Sequence, residues 1–159
     1  MMLLRRFLVL AALMYWQGGF TFYAAIVVPV GTEVLGSKVE QGRITRQVAR
    51  TINLTGVVAL AVFALDIAVT RPGQGLRWGR WLAWFVMAVT LGVLFVLHGH
   101  LDAMFIPDEL KITDRPAFRF WHRTYLWVIT VQWGCAVLFA LLTLAAWRLE
   151  DRTPAASVN

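Results

Sequence analysis

The chain has a single cysteine, Cys135, so an internal disulfide is excluded, and its place inside a long apolar run makes a free buried thiol the expected state. Charge is scarce too. Only 15% of the 159 residues are charged, with nine acids against fifteen Lys and Arg, and those charges lie almost wholly between the apolar runs. The net charge of +6 is therefore expected to meet anionic lipid headgroups; no basic polar domain with interleaved aromatics suggests nucleic acid. Catalytic signatures are missing: no phosphate-binding glycine loop, no nucleophile elbow, no His-Glu-x-x-His and no plausible catalytic cysteine. These absences lean away from an enzyme without excluding one. No internal repeat or low-complexity segment is evident, and the linkers are too short for a second domain.

What the chain has in abundance is apolar length. Hydrophobic residues make up 59% of it, and runs over residues 8–30, 54–69, 81–97 and 125–147 are dominated by Leu, Val, Ala, Phe, Ile and Trp. A hydrocarbon core of ~30 Å takes roughly 17 to 25 such residues at ~1.5 Å each. The second run is short by itself, but Ile44, Val48 and Ile52 continue its helical spacing upstream. The expected fold is all-α, a polytopic membrane protein forming one four-transmembrane-helix bundle over residues 1–151. Residues 152–159 are expected to form a short disordered tail. Arg5 and Arg6 followed by an apolar stretch resemble a signal peptide, yet no small-x-small site interrupts the run, so it reads as a retained first helix.

Four spans put both termini on one side. That side carries Arg5, Arg6, Arg71, Arg77, Arg80, Arg148 and Arg152; the other carries Lys38, Arg43, Arg46, Arg50, Lys111, Arg115, Arg119 and Arg123. The first set crowds against the span ends in shorter segments, which favours an inner-membrane protein with both termini in the cytoplasm. Trp78, Trp81, Trp121, Trp127 and Trp147 fall at expected headgroup depths, whereas Trp16 and Trp133 fall deeper and are expected between helices. Gly18, Gly19, Gly56, Ala59, Ala136 and Ala140 are expected helix-contact positions. Residues 42–50 read as an amphipathic lead-in to the second helix, residues 70–80 as a basic turn, and Thr113-Asp114-Arg115-Pro116 as a helix start near Arg115.

Polar chemistry gathers between His98 and His122, a stretch holding all three histidines and four of the nine acids. On a continuing helix His98 and Asp102 share a face, so the carboxylate can orient the imidazole; His100 points roughly the other way. The third and fourth helices run antiparallel, which brings His98 and His122 to similar depth. A set of His98, Asp102 and His122 suits a small ligand, an ion, a partner or a transition metal, and two facing histidines suit haem. The plainer alternative is that these residues cap helix ends, pair with Arg119 or Arg123, and meet water; no bound cofactor is the leading expectation. Asp66 interrupts the second run, and an intramembrane carboxylate usually faces protein or a wet cavity. Its readings are a structural ion pair with Arg71, Arg5 or Arg6, or a proton relay. Gln17, Asn53 and Gln132 are candidates for interhelical hydrogen bonds.

The segments Trp16-Gln17-Gly18-Gly19-Phe20-Thr21-Phe22-Tyr23, Val28-Pro29-Val30 and Thr51-Ile52-Asn53-Leu54-Thr55-Gly56 bear a family likeness, as does Phe118-Arg119-Phe120-Trp121-His122-Arg123-Thr124-Tyr125-Leu126. Together they resemble an uncharacterised family of small bacterial four-helix integral membrane proteins, distantly similar to eukaryotic transmembrane protein 205. The resemblance covers most of the chain on short, loose motifs. It implies a four-helix membrane fold, carries over His122 best, and supplies no reaction. The resemblance does not extend His98-Gly-His100-Leu-Asp102 to the eukaryotic relatives, so this run is expected of the bacterial branch alone.

The function expected is that of a small, non-enzymatic membrane protein with a polar His98, Asp102 and His122 site at the extracytoplasmic mouth of the third and fourth helices. Such a site would take an ion, a small ligand or a partner. The alternative is a haem- or metal-binding redox protein using His98 and His122, with Asp102 as a third member. A small proton-coupled transporter centred on Asp66 is less favoured, because four helices without repeats rarely suffice. The partners expected are the lipid bilayer and a second copy or a membrane complex.

Overall fold

A computed structural model describes residues 2–70, 73–106 and 111–152. Four long helices dominate: α1 (Met2–Leu35), α2 (Lys38–Val69), α3 (Gln74–Ala103) and α4 (Arg115–Arg152), all long and apolar enough to cross a membrane. The protein is a multi-pass membrane protein built as an all-α bundle. Every helix overshoots its apolar run. The amphipathic lead-in of residues 42–50 is continuous with α2, and α4 starts at Arg115 as its turn chemistry predicts. The Asp114 carboxylate accepts from the Ala117 amide at 3.0 Å, capping α4 just before Pro116. At the other tight junction Gly36 closes α1 in the left-handed conformation (φ 62°), and the Ser37 hydroxyl accepts from the Glu40 amide to start α2. The sequence did not suggest one small feature: Phe105–Ile106 (β1) and Lys111–Ile112 (β2) form a two-residue antiparallel ladder between α3 and α4. The 153–159 tail, Arg71 and Asp108 lie outside the described residues.

The exterior of the bundle is largely apolar, with Leu65, Leu82, Val96 and Leu141 each more than half exposed. A soluble monomer rarely shows such continuous apolar surface, whereas lipid tails solvate it. Inside, Phe63, Met87, Leu94 and Phe139 are fully buried. Helix contact depends on small residues only in places. A Cβ on Gly56 would stand 2.7 Å from the Trp16 ring, so Gly56 lets α1 and α2 close around that indole. Ala59 and Ala136 are also buried.

Three expectations are corrected. Gly18 and Gly19 are exposed and nothing lies within 4 Å of a Cβ added to either, so they face outward. Trp133 is 44% exposed, because it lies about 100° round α4 from Gln132, at the edge of the buried stripe and outside it. Trp147 is buried rather than in a headgroup belt, where the Arg6 guanidinium lies 5.5 Å from its ring.

Helix α1 contains two wide π turns, Met14–Gly18 and Tyr23–Val27. The second lies directly before Pro29, whose ring would otherwise press on the carbonyl four residues back; the wider turn relieves that clash. The first turn holds the consecutive residues Trp16 and Gln17, both of them buried. The Thr21 hydroxyl donates to the Gln17 carbonyl at 2.7 Å, satisfying a backbone group near the bulge.

Candidate functional site

The bundle carries two polar regions, one at each end. At the end bearing the termini, Asp66 is fully buried between two cations, the Arg5 Nε at 2.9 Å and the fully buried Arg80. The Thr70 hydroxyl donates to the same carboxylate at 3.4 Å, and Arg80 Nε donates to the Thr143 hydroxyl at 3.2 Å. Arg5 continues to Glu150 at 2.6 Å, and Arg6 pairs with Glu150 at 3.2 Å and Asp151 at 2.7 Å. Three cations thus face three carboxylates, tying α1, α2, α3 and α4 together. Arg5 is among the partners expected for Asp66; Arg80 is the one sequence reasoning missed. The signal was available in the run Arg80, Ala83, Met87, Leu91 and Leu94, which recurs at three and four residues and marks the buried face of α3.

At the opposite end the expected triad divides. His98 Nε2 lies 3.5 Å from Asp102, one helical turn away, and the second oxygen of Asp102 holds Arg46 Nε of α2 at 2.7 Å. The Asp102 partner is therefore Arg46, not Arg119 or Arg123. His122 stacks on Phe118, ring centroids 6.0 Å apart, and faces a cavity between α1, α2 and α4. His100 is exposed and meets the Trp121 ring edge-on at 4.7 Å. Among the described residues, no three His, Cys, Asp or Glu side chains come together as a metal-ligand group. His98, Asp102 and His122 do not form the three-ligand set considered from the sequence, because Asp102 is turned toward α2 while His122 serves a different face of the bundle.

The cavity measures about 310 Å³. Its wall is mainly apolar, with Phe20, Val28, Ile52 and Ile129 prominent, and it opens sideways where Ala24 and His122 are exposed. Trp16 forms part of its wall where it packs on Gly56. Into this apolar space project two buried amides, Gln17 at 9% exposure and Asn53 at 3%. Neither Gln17 Nε2 nor Asn53 Nδ2 has a hydrogen-bond partner. Interhelical hydrogen bonds were expected of both. Gln132 fits that expectation better, reaching the Met87 carbonyl at 3.5 Å and the Thr90 hydroxyl at 3.4 Å.

An unpaired amide N–H in an apolar wall costs about 1–3 kcal/mol, so these two leave hydrogen-bonding capacity unmet within one cavity wall. Tyr125 of α4 lines the same wall as Asn53 of α2. Nearer the loops, Tyr23 donates to the Thr45 hydroxyl at 3.1 Å and the buried Gln41 amide reaches both, closing the cavity between α1 and α2. Comparison with known proteins adds no name: no protein-family model, curated protein or solved structure matches this chain.

Proposed function

We propose that this protein binds a membrane-soluble, mostly apolar molecule in the cavity between α1, α2 and α4, entering sideways from the bilayer. The observation that supports it is the pair of buried, unpartnered amide donors, Gln17 Nε2 and Asn53 Nδ2, in a mainly apolar wall. The molecule would carry a hydrogen-bond acceptor for these groups, and His122 would meet its outer end. Volume is compatible: an apolar cavity of about 150 Å³ holds benzene, and ligand pockets begin near about 300 Å³. The site so drawn keeps His122 from the polar cluster expected at the mouth and leaves His98 and Asp102 as a structural pair with Arg46.

Organic extraction of the purified protein followed by mass analysis tests this. The expected result is one retained amphiphile per wild-type chain and none in Ala49→Phe, whose ring fills the cavity. Identical extracts from both proteins would overturn the reading.

We further propose, from the crowding of Arg5, Arg6, Arg77, Arg80 and Arg148 at one end, an inner-membrane protein with both termini cytoplasmic. The cavity mouth then opens toward the extracytoplasmic leaflet. Single cysteines placed at Ser37 and Thr113 should react with an impermeant maleimide in intact cells. Labelling only after lysis would reverse the orientation.

A further inference from the structure

The cavity has a second polar feature, and it lies outside the wall. On α4 the residues Arg115, Arg119, His122, Leu126 and Ile129 follow one another at four, three, four and three residues, a single stripe of one helix face. Leu126 and Ile129 line the cavity, His122 stands at its mouth, and the stripe continues outward as two exposed arginines. Among the described residues neither Arg115 nor Arg119 takes part in an ion pair, while the nearby carboxylate of Asp102 is taken by Arg46. A molecule seated in the cavity therefore leaves it past His122 and beneath two free guanidinium groups.

The spacing between these polar levels carries chemical information. Gln17 and Asn53 share the cavity wall with Tyr125 of α4. His122 is three residues nearer the loop and Arg119 six, about 4.5 Å and about 9 Å along the axis. Two donors for a neutral acceptor thus lie one to two turns below donors for an anion. A long-chain carboxylate does not match this, since its only acceptors would occupy one level. An acyl ester of a phosphorylated alcohol matches both: its ester carbonyl and its phosphate are separated by a few bonds, and guanidinium binds phosphate by paired, charge-assisted hydrogen bonds.

Resting on the reading of this cavity as a ligand site, we infer that its ligand is an acyl ester bearing a phosphate. The carbonyl accepts from Gln17 and Asn53, the phosphate meets His122, Arg119 and Arg115, and the chain fills the apolar wall. The volume of about 310 Å³ is roughly twice that of a benzene-sized cavity, so it takes part of a single chain, whose end stays in the bilayer. The same chemistry is offered by a free lysophospholipid and by one chain of a bilayer phospholipid whose second chain stays in the membrane.

Affinity measurements on the full-length protein in a neutral detergent, using four probes of equal chain length, test this. The probes are a lysophosphatidic acid, the matching monoacylglycerol without phosphate, the matching alkyl phosphate without ester carbonyl, and the diacyl phosphatidic acid. Lysophosphatidic acid is expected to bind about tenfold more tightly than either single-function probe. Arg115→Gln with Arg119→Gln should reduce it to the level of the monoacylglycerol, and Gln17→Leu with Asn53→Leu to that of the alkyl phosphate. Phosphatidic acid competing at equal concentration would identify the bilayer phospholipid as the source; failure to compete would identify the single-chain form.

The two levels of the claim fail differently. Monoacylglycerol binding as tightly as lysophosphatidic acid, and lost in Ala49→Phe, would overturn the phosphate and leave the cavity reading standing. No probe binding at all, or binding unchanged in Ala49→Phe, would overturn both. Should the arginine pair fail to fold, Arg119→Lys alone keeps the charge but loses the paired geometry, and severalfold weaker binding of lysophosphatidic acid alone is expected. Unchanged affinity there would count against the guanidinium contact.

Discussion

Asp66 lies between the guanidinium groups of Arg5 and Arg80 with no exposure of its own side chain, so its loss strands a charge in an apolar interior. Removing one partner of a buried pair costs about 3–5 kcal/mol, whereas replacing both by apolar groups of similar size is often nearly neutral. Chemical unfolding in detergent should therefore find Asp66→Ala less stable by about 3 kcal/mol or more, and Asp66→Leu with Arg80→Met less damaging than Asp66→Ala alone. Costs that simply add in the double variant would contradict the pairing. The carboxylate itself was legible as an anomaly in an apolar run, and so was Arg5 as a partner. Arg80 was legible only through its place at the head of the buried stripe of α3, because a basic residue near a helix start also satisfies the ordinary expectation of a headgroup contact. The same ambiguity hid Gln17 and Asn53. Their side chains were recognisable as intramembrane amides, but whether such an amide bonds to a neighbouring helix or faces a void depends on distances between helices.

Among the elements, α1 departs furthest from what periodicity suggests. The apolar spacing of residues 8–30 describes a regular helix, yet two wide turns interrupt it, with Trp16 and Gln17 buried in the first and Gly18 and Gly19 exposed beside them. Insertion of one residue's worth of rotation is a tertiary effect, invisible to a pattern counted at 3.6 residues per turn. Gly56 of α2 is the complementary position. A side chain there collides with the Trp16 indole, so Gly56→Val should lower stability by about 1–3 kcal/mol through overpacking. Adding Trp16→Leu should recover part of that loss in the same unfolding measurement. An additive pair would mean that the indole does not sit against Gly56. The start of α4, by contrast, was legible to the residue, since Asp114 and Pro116 act locally and need no partner helix.

On the scale of the whole molecule, the number of spans and the shared side of the termini follow from hydropathy alone, because lipid imposes the same length and polarity on every crossing segment. The division of polar groups between the two ends was only partly legible. Composition pointed to His98, Asp102 and His122 as one group, while the packing gives Asp102 to Arg46 and His122 to a cavity. Helix rotation decides this, and no single-helix pattern reports it. The neutral ion-pair cluster draws one end of the bundle together, and the cavity occupies the half nearer the other end. Ala49→Phe should accordingly raise the melting temperature of ligand-stripped protein, since the ring replaces empty space. A lower melting temperature would show that the cavity is already filled by protein on relaxation.

The proposed ligand site depends on Gln17 and Asn53 presenting free donors to a bound molecule. An experimental density map of the protein, crystallised from a lipid mesophase without delipidation, tests that directly. Continuous non-protein density should run from the cavity past His122, with an acceptor within about 3.2 Å of both amide nitrogens. A map in which Gln17 and Asn53 bond to neighbouring helices, with the cavity closed around them, would contradict it.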